Sequence, residues 1–188
     1  MNRSRPMMVL AFLVALPGIA KAQATRSVSL GVTGGLSVPL GDVANSAESG
    51  YSVAAHIFLK PGSKDRLVFR GDMSYDRWGV KPVAGNNVRE ASLTSLGFVA
   101  NAVVSSGSAK SSTRPYLLAG LGLFRTNLSV SGSGAGVTSE SSDMGIQVGG
   151  GLAFSLNRLS TFVEAKYVNV FRNPTAWTYL PITFGVRF

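Results

Sequence analysis

The chain has 188 residues, 45% hydrophobic and 14% charged, with 22 glycines, no cysteine and a formal net charge of +9. So many apolar residues with so little charge exclude disorder, since an average soluble domain carries roughly 25% charged residues. The missing cysteine excludes a disulfide framework and a thiolate metal site. Past residue 24 no apolar run reaches the ~18 residues of a membrane-spanning helix, which leaves a single Gly-rich, all-β domain.

Residues 1–24 read as a secretory leader. Arg3 and Arg5 form a basic start, Met7 to Leu16 an apolar stretch, and Pro17 and Gly18 break it. Two small-x-small sites follow, Ala20-Lys21-Ala22 and Ala22-Gln23-Ala24, so cleavage is expected after Ala22 or Ala24, with residues 25–188 as the mature domain. The apolar stretch is too short for a retained anchor helix. Cleavage lowers the charge of +9 by three, and the remaining basic residues are scattered singly. Scattered charge on an exported chain argues against nucleic acid as a partner and favours an anionic surface outside the cell, such as lipopolysaccharide.

Eight alternating segments follow. Val28 to Leu40 sets Val28, Leu30, Val32, Leu36, Val38 and Leu40 against Ser, Gly and Thr. Tyr51 to Lys60 sets Val53, Ala55, Ile57 and Leu59 against Ser52, Ala54, His56 and Phe58. Arg66 to Asp76 opposes Leu67, Phe69, Met73 and Tyr75 to Val68, Arg70, Asp72 and Ser74. Glu90 to Val104 is noisier, with Leu96, Phe98, Ala100, Ala102 and Val104 as its apolar face. Tyr116 to Thr126 carries Leu and Gly on both parities, and its faces stay open. Met144 to Leu156 sets Ile146, Val148, Leu152 and Phe154 against Gly and Gln147; Ser160 to Phe171 sets Val163, Ala165 and Tyr167 against Glu164 and Lys166. Trp177 to Phe188 sets Leu180, Ile182, Phe184, Val186 and Phe188 against Tyr179, Thr183, Gly185 and Arg187. No helix of useful length is expected between them.

Segments this long match a tilted strand crossing a bilayer, which takes about 9–11 residues. The connections alternate between a shorter set, in which the Ser-rich Ser105–Arg114 is the one long member, and the longer Gly41–Gly50, Arg77–Arg89, Asn127–Asp143 and Arg172–Ala176. The expected fold is therefore an eight-stranded antiparallel up-and-down transmembrane β-barrel. A soluble lipocalin-like barrel shares the alternation but turns its apolar face inward. The polar face decides: it is small and nearly uncharged in the first and sixth segments, which suits a narrow interior. The few strand charges, Arg70, Asp72, Glu164, Lys166 and Arg187, fall on that face. They are expected, with His56 and Gln147, to form one polar network that plugs the interior. Tyr51, Tyr75, Trp78, Phe171 and Trp177 at one set of strand ends, and Tyr116 and Phe188 at the other, are expected to form interfacial aromatic girdles.

The last segment, Leu180-Pro181-Ile182-Thr183-Phe184-Gly185-Val186-Arg187-Phe188, resembles the C-terminal assembly signal of bacterial outer-membrane proteins, with Phe184, Gly185, Val186 and the final Phe188 carrying the likeness. From about Ser27 to Phe188 the chain resembles the small outer-membrane barrel family of the OmpA membrane domain and OmpX type. Gly34 to Asp42 and Pro115 to Gly122 are similar to segments recurrent there. The resemblance implies a Gram-negative outer-membrane location, contact with the barrel-assembly machinery, and a monomer; no peptidoglycan-binding domain is expected after Phe188.

Chemistry is harder to find. The lipid A deacylases of that family carry a Ser two residues after their His; here that position after His56 is Phe58. Asp72 and Asp76 share a face but lie roughly 13 Å apart at about 3.3 Å per residue, beyond a paired-carboxylate hydrolase. Asp42, Asn45 and Glu48 lack the spacing of an EF-hand loop. Gly132-Ser133-Gly134-Ala135-Gly136 lacks the Gly-Lys-Ser/Thr ending of a phosphate loop. No catalytic, cofactor or metal residue is assigned. The leading expectation is a non-enzymatic structural or surface-interaction protein, with the loops at Arg77–Arg89 and Asn127–Asp143, and Trp78, Lys81 and Arg89 in particular, as contacts. A lipid A-modifying enzyme using His56 and a soluble periplasmic carrier are the alternatives.

Overall fold

The computed structural model describes residues 28–61, 66–81, 88–106, 111–132, 137–156, 159–173 and 175–188. The proposed leader and the side chain of Arg89 lie outside these. Eight strands close into an antiparallel barrel in chain order: β1 (Val28–Leu40), β2 (Gly50–Leu59), β3 (Leu67–Gly79), β4 (Val88–Ser105), β5 (Thr113–Gly132), β6 (Val137–Leu156), β7 (Leu159–Val170) and β8 (Trp177–Arg187). β8 closes on β1 through pairs such as Gly31 with Arg187 and Leu36 with Ile182. The turn end holds both the start of β1 and the end of β8. The loop end holds the β1–β2, β3–β4, β5–β6 and β7–β8 connections. A five-residue helix, α1 (Asp42–Ser46), sits in the first of these, an element the strand pattern did not announce.

Alternation sets the faces. Leu36, Leu117, Leu121, Leu123 and Met144 are each 60–71% exposed on the outside. His56, Arg70, Asp72, Gln147, Glu164 and Lys166 are each at most 5% exposed inside. The faces of β5, open in the sequence, resolve to Leu117, Leu121 and Leu123 outward and Tyr116, Leu118 and Phe124 inward. The interior has three tiers. An apolar cluster around Trp78, Leu93, Phe124, Val168 and Tyr179 fills the loop-side half, and another around Phe58, Val68, Val103, Tyr116 and Phe162 fills the turn side. The charged residues lie between them.

Two expectations are corrected. The segment Asn127–Asp143 is mostly strand, because β5 and β6 run on as a hairpin with Asn127 opposite Glu140 and Val130 opposite Val137. Alternating Ser, Thr and Val continue the pleat there, and Arg125 Nε reaches Glu140 Oε1 at 2.5 Å across the pair. At about 3.4 Å per residue, the 20 residues of each strand exceed any bilayer crossing, so the hairpin projects beyond the barrel wall. Second, Trp78 and Tyr116 are 1% and 8% exposed and belong to the interior. Both sit on the inward parity of their strands. Of the other expected girdle residues, Tyr51, Phe171 and Phe188 are exposed and Tyr75 is half-buried with its ring 6.2 Å from Tyr51. Trp177 is half-buried, its ring 6.0 Å from Trp78.

Glycine makes room for the inward rings. Phe124 lies between Gly97 of β4 and Gly145 of β6; a Cβ on either would come within 2.8 Å of the ring. Tyr116 lies across Gly151 and Phe162 across Gly185 in the same way. A narrow barrel can hold large rings only where the neighbouring strand offers bare backbone. Gly97→Val is expected to displace Phe124 and destabilise the barrel by about 1–3 kcal/mol, read as a lower urea midpoint after refolding; an unchanged midpoint would show that the ring does not need that space.

Candidate functional site

The central tier is the densest chemistry in the molecule. Inward parity on β2, β3, β4, β6 and β7 brings its members to one level: His56 pairs in register with Asp72, and Arg70 with Asn101. Arg70 organises the cluster. Its Nη1 donates to Glu164 Oε2 at 2.6 Å and its Nη2 to Glu164 Oε1 at 3.0 Å, a two-pronged pairing that matches the planar fork of a guanidinium. Nη2 also donates to Asp72 Oδ2 at 2.9 Å, while Nε lies 2.7 Å from Asp72 Oδ1 as an ion-pair contact without hydrogen-bond alignment. Lys166 Nζ lies 3.4 Å from Glu164 Oε1 and 3.8 Å from Asp72 Oδ2.

Neutral groups complete the cluster. Tyr116 OH donates to Glu164 Oε2 at 2.8 Å. Gln147 Nε2 donates to Asp72 Oδ2 at 3.1 Å and to Asn101 Oδ1 at 2.5 Å, and Asn101 Nδ2 donates to the Arg70 carbonyl at 3.2 Å. His56 Nδ1 is 2.8 Å from Asp72 Oδ1 and its Nε2 is 3.0 Å from Thr33 Oγ1. A neutral ring fits both contacts: Nδ1–H donates to the carboxylate, and Nε2 accepts from the threonine hydroxyl. Two cations then face two carboxylates, and the cluster closes without excess charge.

Of the residues read from the sequence, His56, Arg70, Asp72, Gln147, Glu164 and Lys166 come together as one network. Arg187 does not join them. It sits at the turn-side rim, where Nε donates to Ser29 Oγ at 2.7 Å and the guanidinium lies 4.5 Å over the Phe58 ring. Thr33, Asn101 and Tyr116 were missed. Parity already puts Thr33 and Asn101 on the inward faces of β1 and β4 but says nothing of their partners; Tyr116 stands near a strand end, where a girdle residue is expected, and shares that inward parity.

The order Thr33 hydroxyl, His56 imidazole, Asp72 carboxylate is that of a hydrolytic relay. Its surroundings differ: the three residues are 7%, 3% and 5% exposed, closed in by packed rings above and below. Among the described residues no cluster of three or more His, Asp or Glu is placed to hold a metal ion.

The loop end offers a second feature, a cleft of about 520 Å³ with Val43, Ala47, Val80, Leu93 and Trp177 as its apolar floor and Arg172 on its lining. Lys81 is exposed nearby, its Nζ donating to the Ala44 carbonyl at 2.7 Å and fastening the end of β3 to α1. Trp78, expected as a surface contact, is instead buried, with its ring 4.9 Å from that of Tyr179.

Arg70→Met is expected to cost about 3–5 kcal/mol by leaving Asp72 and Glu164 buried with too little positive charge. Adding Glu164→Gln is expected to recover part of that loss. The check is urea unfolding of both variants. Equal loss in both would mean that Arg70 acts by packing alone.

No family model matches the chain, and no curated protein sequence does. Among solved structures it is similar to Neisserial surface protein A, with a TM-score of 0.62 at 19% identity over 86% of this chain and 96% of that one. It is similar to Ail, the attachment invasion locus protein of Yersinia pestis, in complex with the heparin analogue sucrose octasulfate, with a TM-score of 0.55 at 14% identity over 86% and 97%. A major outer membrane protein from Thermus thermophilus gives 0.55 at 10% identity over 86% and 98%. At such identities the likeness is one of fold: the chain has the architecture of the small eight-stranded outer-membrane barrels.

Proposed function

We propose that the chain is an integral outer-membrane protein without enzymatic activity, a side-chain-filled barrel that holds a loop-end surface above the lipid for contact with an external partner. The observation that carries this reading is the inversion of burial. The outside of the barrel is a continuous apolar belt, while the charges of the central tier are inside. A soluble protein rarely exposes an apolar patch beyond a few hundred Å², whereas hydrocarbon requires such a surface and a wall without free backbone edges. The side chains that fill the interior, apolar at both ends and charged between, take up the space that a soluble carrier would need for its ligand.

Outer-membrane lipid and lipopolysaccharide are then the standing partners. Assembly runs through the C-terminal strand, where Phe184 is exposed on the outside and Gly185 leaves room for Phe162 inside. The external contact falls on the projecting β5–β6 hairpin and the cleft floored by Trp177. The filled centre supports a plug rather than an open pore, and the enclosure of Thr33, His56 and Asp72 supports a structural role for them.

The test is cell fractionation followed by electrophoresis with and without boiling. The protein is expected in the outer-membrane fraction and to migrate differently before and after boiling; recovery as soluble protein would overturn the reading. Ile146→Arg is expected to destabilise the refolded barrel in vesicles by about 2–4 kcal/mol. The His56→Ala variant is expected to leave the lipid A profile of its cells identical to wild type, and a changed profile would favour an enzyme.

A further inference from the structure

The charges enclosed by the wall do not balance. Among the described residues, the buried charged side chains are Arg70 and Lys166 against Asp72, Glu164 and Asp76, beside the neutral ring of His56. The central tier accounts for four of these: Arg70 joins Glu164 to Asp72, and Lys166 lies beside both carboxylates. Asp76 is left over. It is 1% exposed and stands four positions along β3 from Asp72 towards the loop end, roughly 13 Å at about 3.3 Å per residue. None of the described cations pairs with it, and Lys166, committed to the other two carboxylates, acts on it only from a distance.

Hydroxyls surround this carboxylate. Ser52 of β2 and Ser95 of β4 flank Asp76 in register. Ser37 of β1 and Tyr179 of β8 bring their side chains to the same level, Ser37 and Tyr179 towards Asp76 and Ser95 towards Tyr179. All four are at most 3% exposed. The ring of Trp78, two residues on along the same face of β3, packs 4.9 Å from that of Tyr179 and lies over the level on the loop side.

The oxygens gathered there leave one another unsatisfied. Asp76 Oδ1, Ser37 Oγ and Ser95 Oγ are buried without a hydrogen-bond partner in the protein. A hydroxyl free to rotate beside a carboxylate normally donates to it, because such a bond is charge-assisted. Oxygens that collect in a dry interior without bonding one another have the arrangement that a cation imposes, each turning a lone pair to the ion.

We propose that Asp76, with the hydroxyls of Ser37, Ser52, Ser95 and Tyr179, forms an internal binding site for a monovalent alkali cation. The donor set selects the class: carboxylate and hydroxyl oxygens are hard ligands, suited to alkali and alkaline-earth ions rather than to transition metals. The charge selects within it. One carboxylate is in excess, so a monovalent ion makes the interior neutral, whereas a divalent ion reverses the imbalance. Burial makes the match matter, since an unpaired charge away from water is costly. Water satisfies hydroxyls but leaves that charge in place.

The test is urea unfolding of the refolded barrel in phosphatidylcholine vesicles across a sodium chloride series, with ionic strength held constant by N-methylglucamine chloride. An ion bound only by the folded state lowers the unfolding constant in proportion to its concentration, so about a tenfold fall is expected for each tenfold rise in sodium above the dissociation constant. Asp76→Asn is expected to abolish that dependence. The double variant Ser37→Ala/Ser95→Ala keeps the carboxylate and removes two ligands; it is expected to need about tenfold more sodium or beyond for the same response, which keeps the test informative if Asp76→Asn does not refold. Three results would overturn the proposal. A wild-type unfolding constant indifferent to sodium means that no ion is bound, and an infrared carbonyl band of a protonated acid, lost in Asp76→Asn, would then show a proton in its place. A sodium response retained in Asp76→Asn puts the ion elsewhere. A response unchanged in the double serine variant shows that the hydroxyls are not its ligands.

Discussion

Closure of eight strands into one wall is the constraint on which everything else rests. It pairs the backbone groups around the wall and leaves an interior only as wide as two facing side chains. Whatever points inward must therefore fill space, find a partner, or lie on a glycine. The three tiers answer that demand in order. Rings rest over Gly97, Gly145, Gly151 and Gly185 in the apolar tiers, and the ions between them meet one another instead of water.

The charged tier is costly to desolvate, and only its completeness makes it tolerable. Arg70 supplies the fork that joins Glu164 to Asp72, and His56, Gln147 and Tyr116 occupy lone pairs the cations leave over. A well-packed apolar core could be as stable or more so. Alternating polar and apolar residues have another consequence: no stretch past the proposed leader is apolar enough to behave as a membrane-spanning helix, so an exported chain of this pattern is not held in the first membrane it crosses.

Much of this was legible because period-2 alternation needs no homologue to read. The faces of β1, β2, β3, β6, β7 and β8 follow from parity, and so do six members of the central network. β5 was opaque for a physical reason: Leu and Gly alternate there as Leu118-Ala119-Gly120-Leu121-Gly122-Leu123, and a glycine marks neither face. Trp78 and Tyr116 stand near strand ends, where an interfacial girdle is expected, yet both share the inward parity of their strands, and parity governs where a side chain points. Arg187 lies on the inward parity as read but too near the rim to reach Arg70; strand parity gives a face and says nothing of depth. The projection of β5 and β6 was hidden by polar composition, which a hairpin in water shares with a loop.

The direction in which the apolar face points is the central claim, and intermolecular NOEs to lipid measure it without altering a residue. In nanodiscs of protonated lipid, with Ile, Leu and Val methyls labelled, the methyls of Val53, Ile57, Leu121, Ile146, Val148 and Ile182 are predicted to cross-relax with the acyl chains. Those of Val68, Val99, Leu118 and Val168 are predicted to show no lipid contact. Acyl-chain contacts at the second set with none at the first would contradict the account outright.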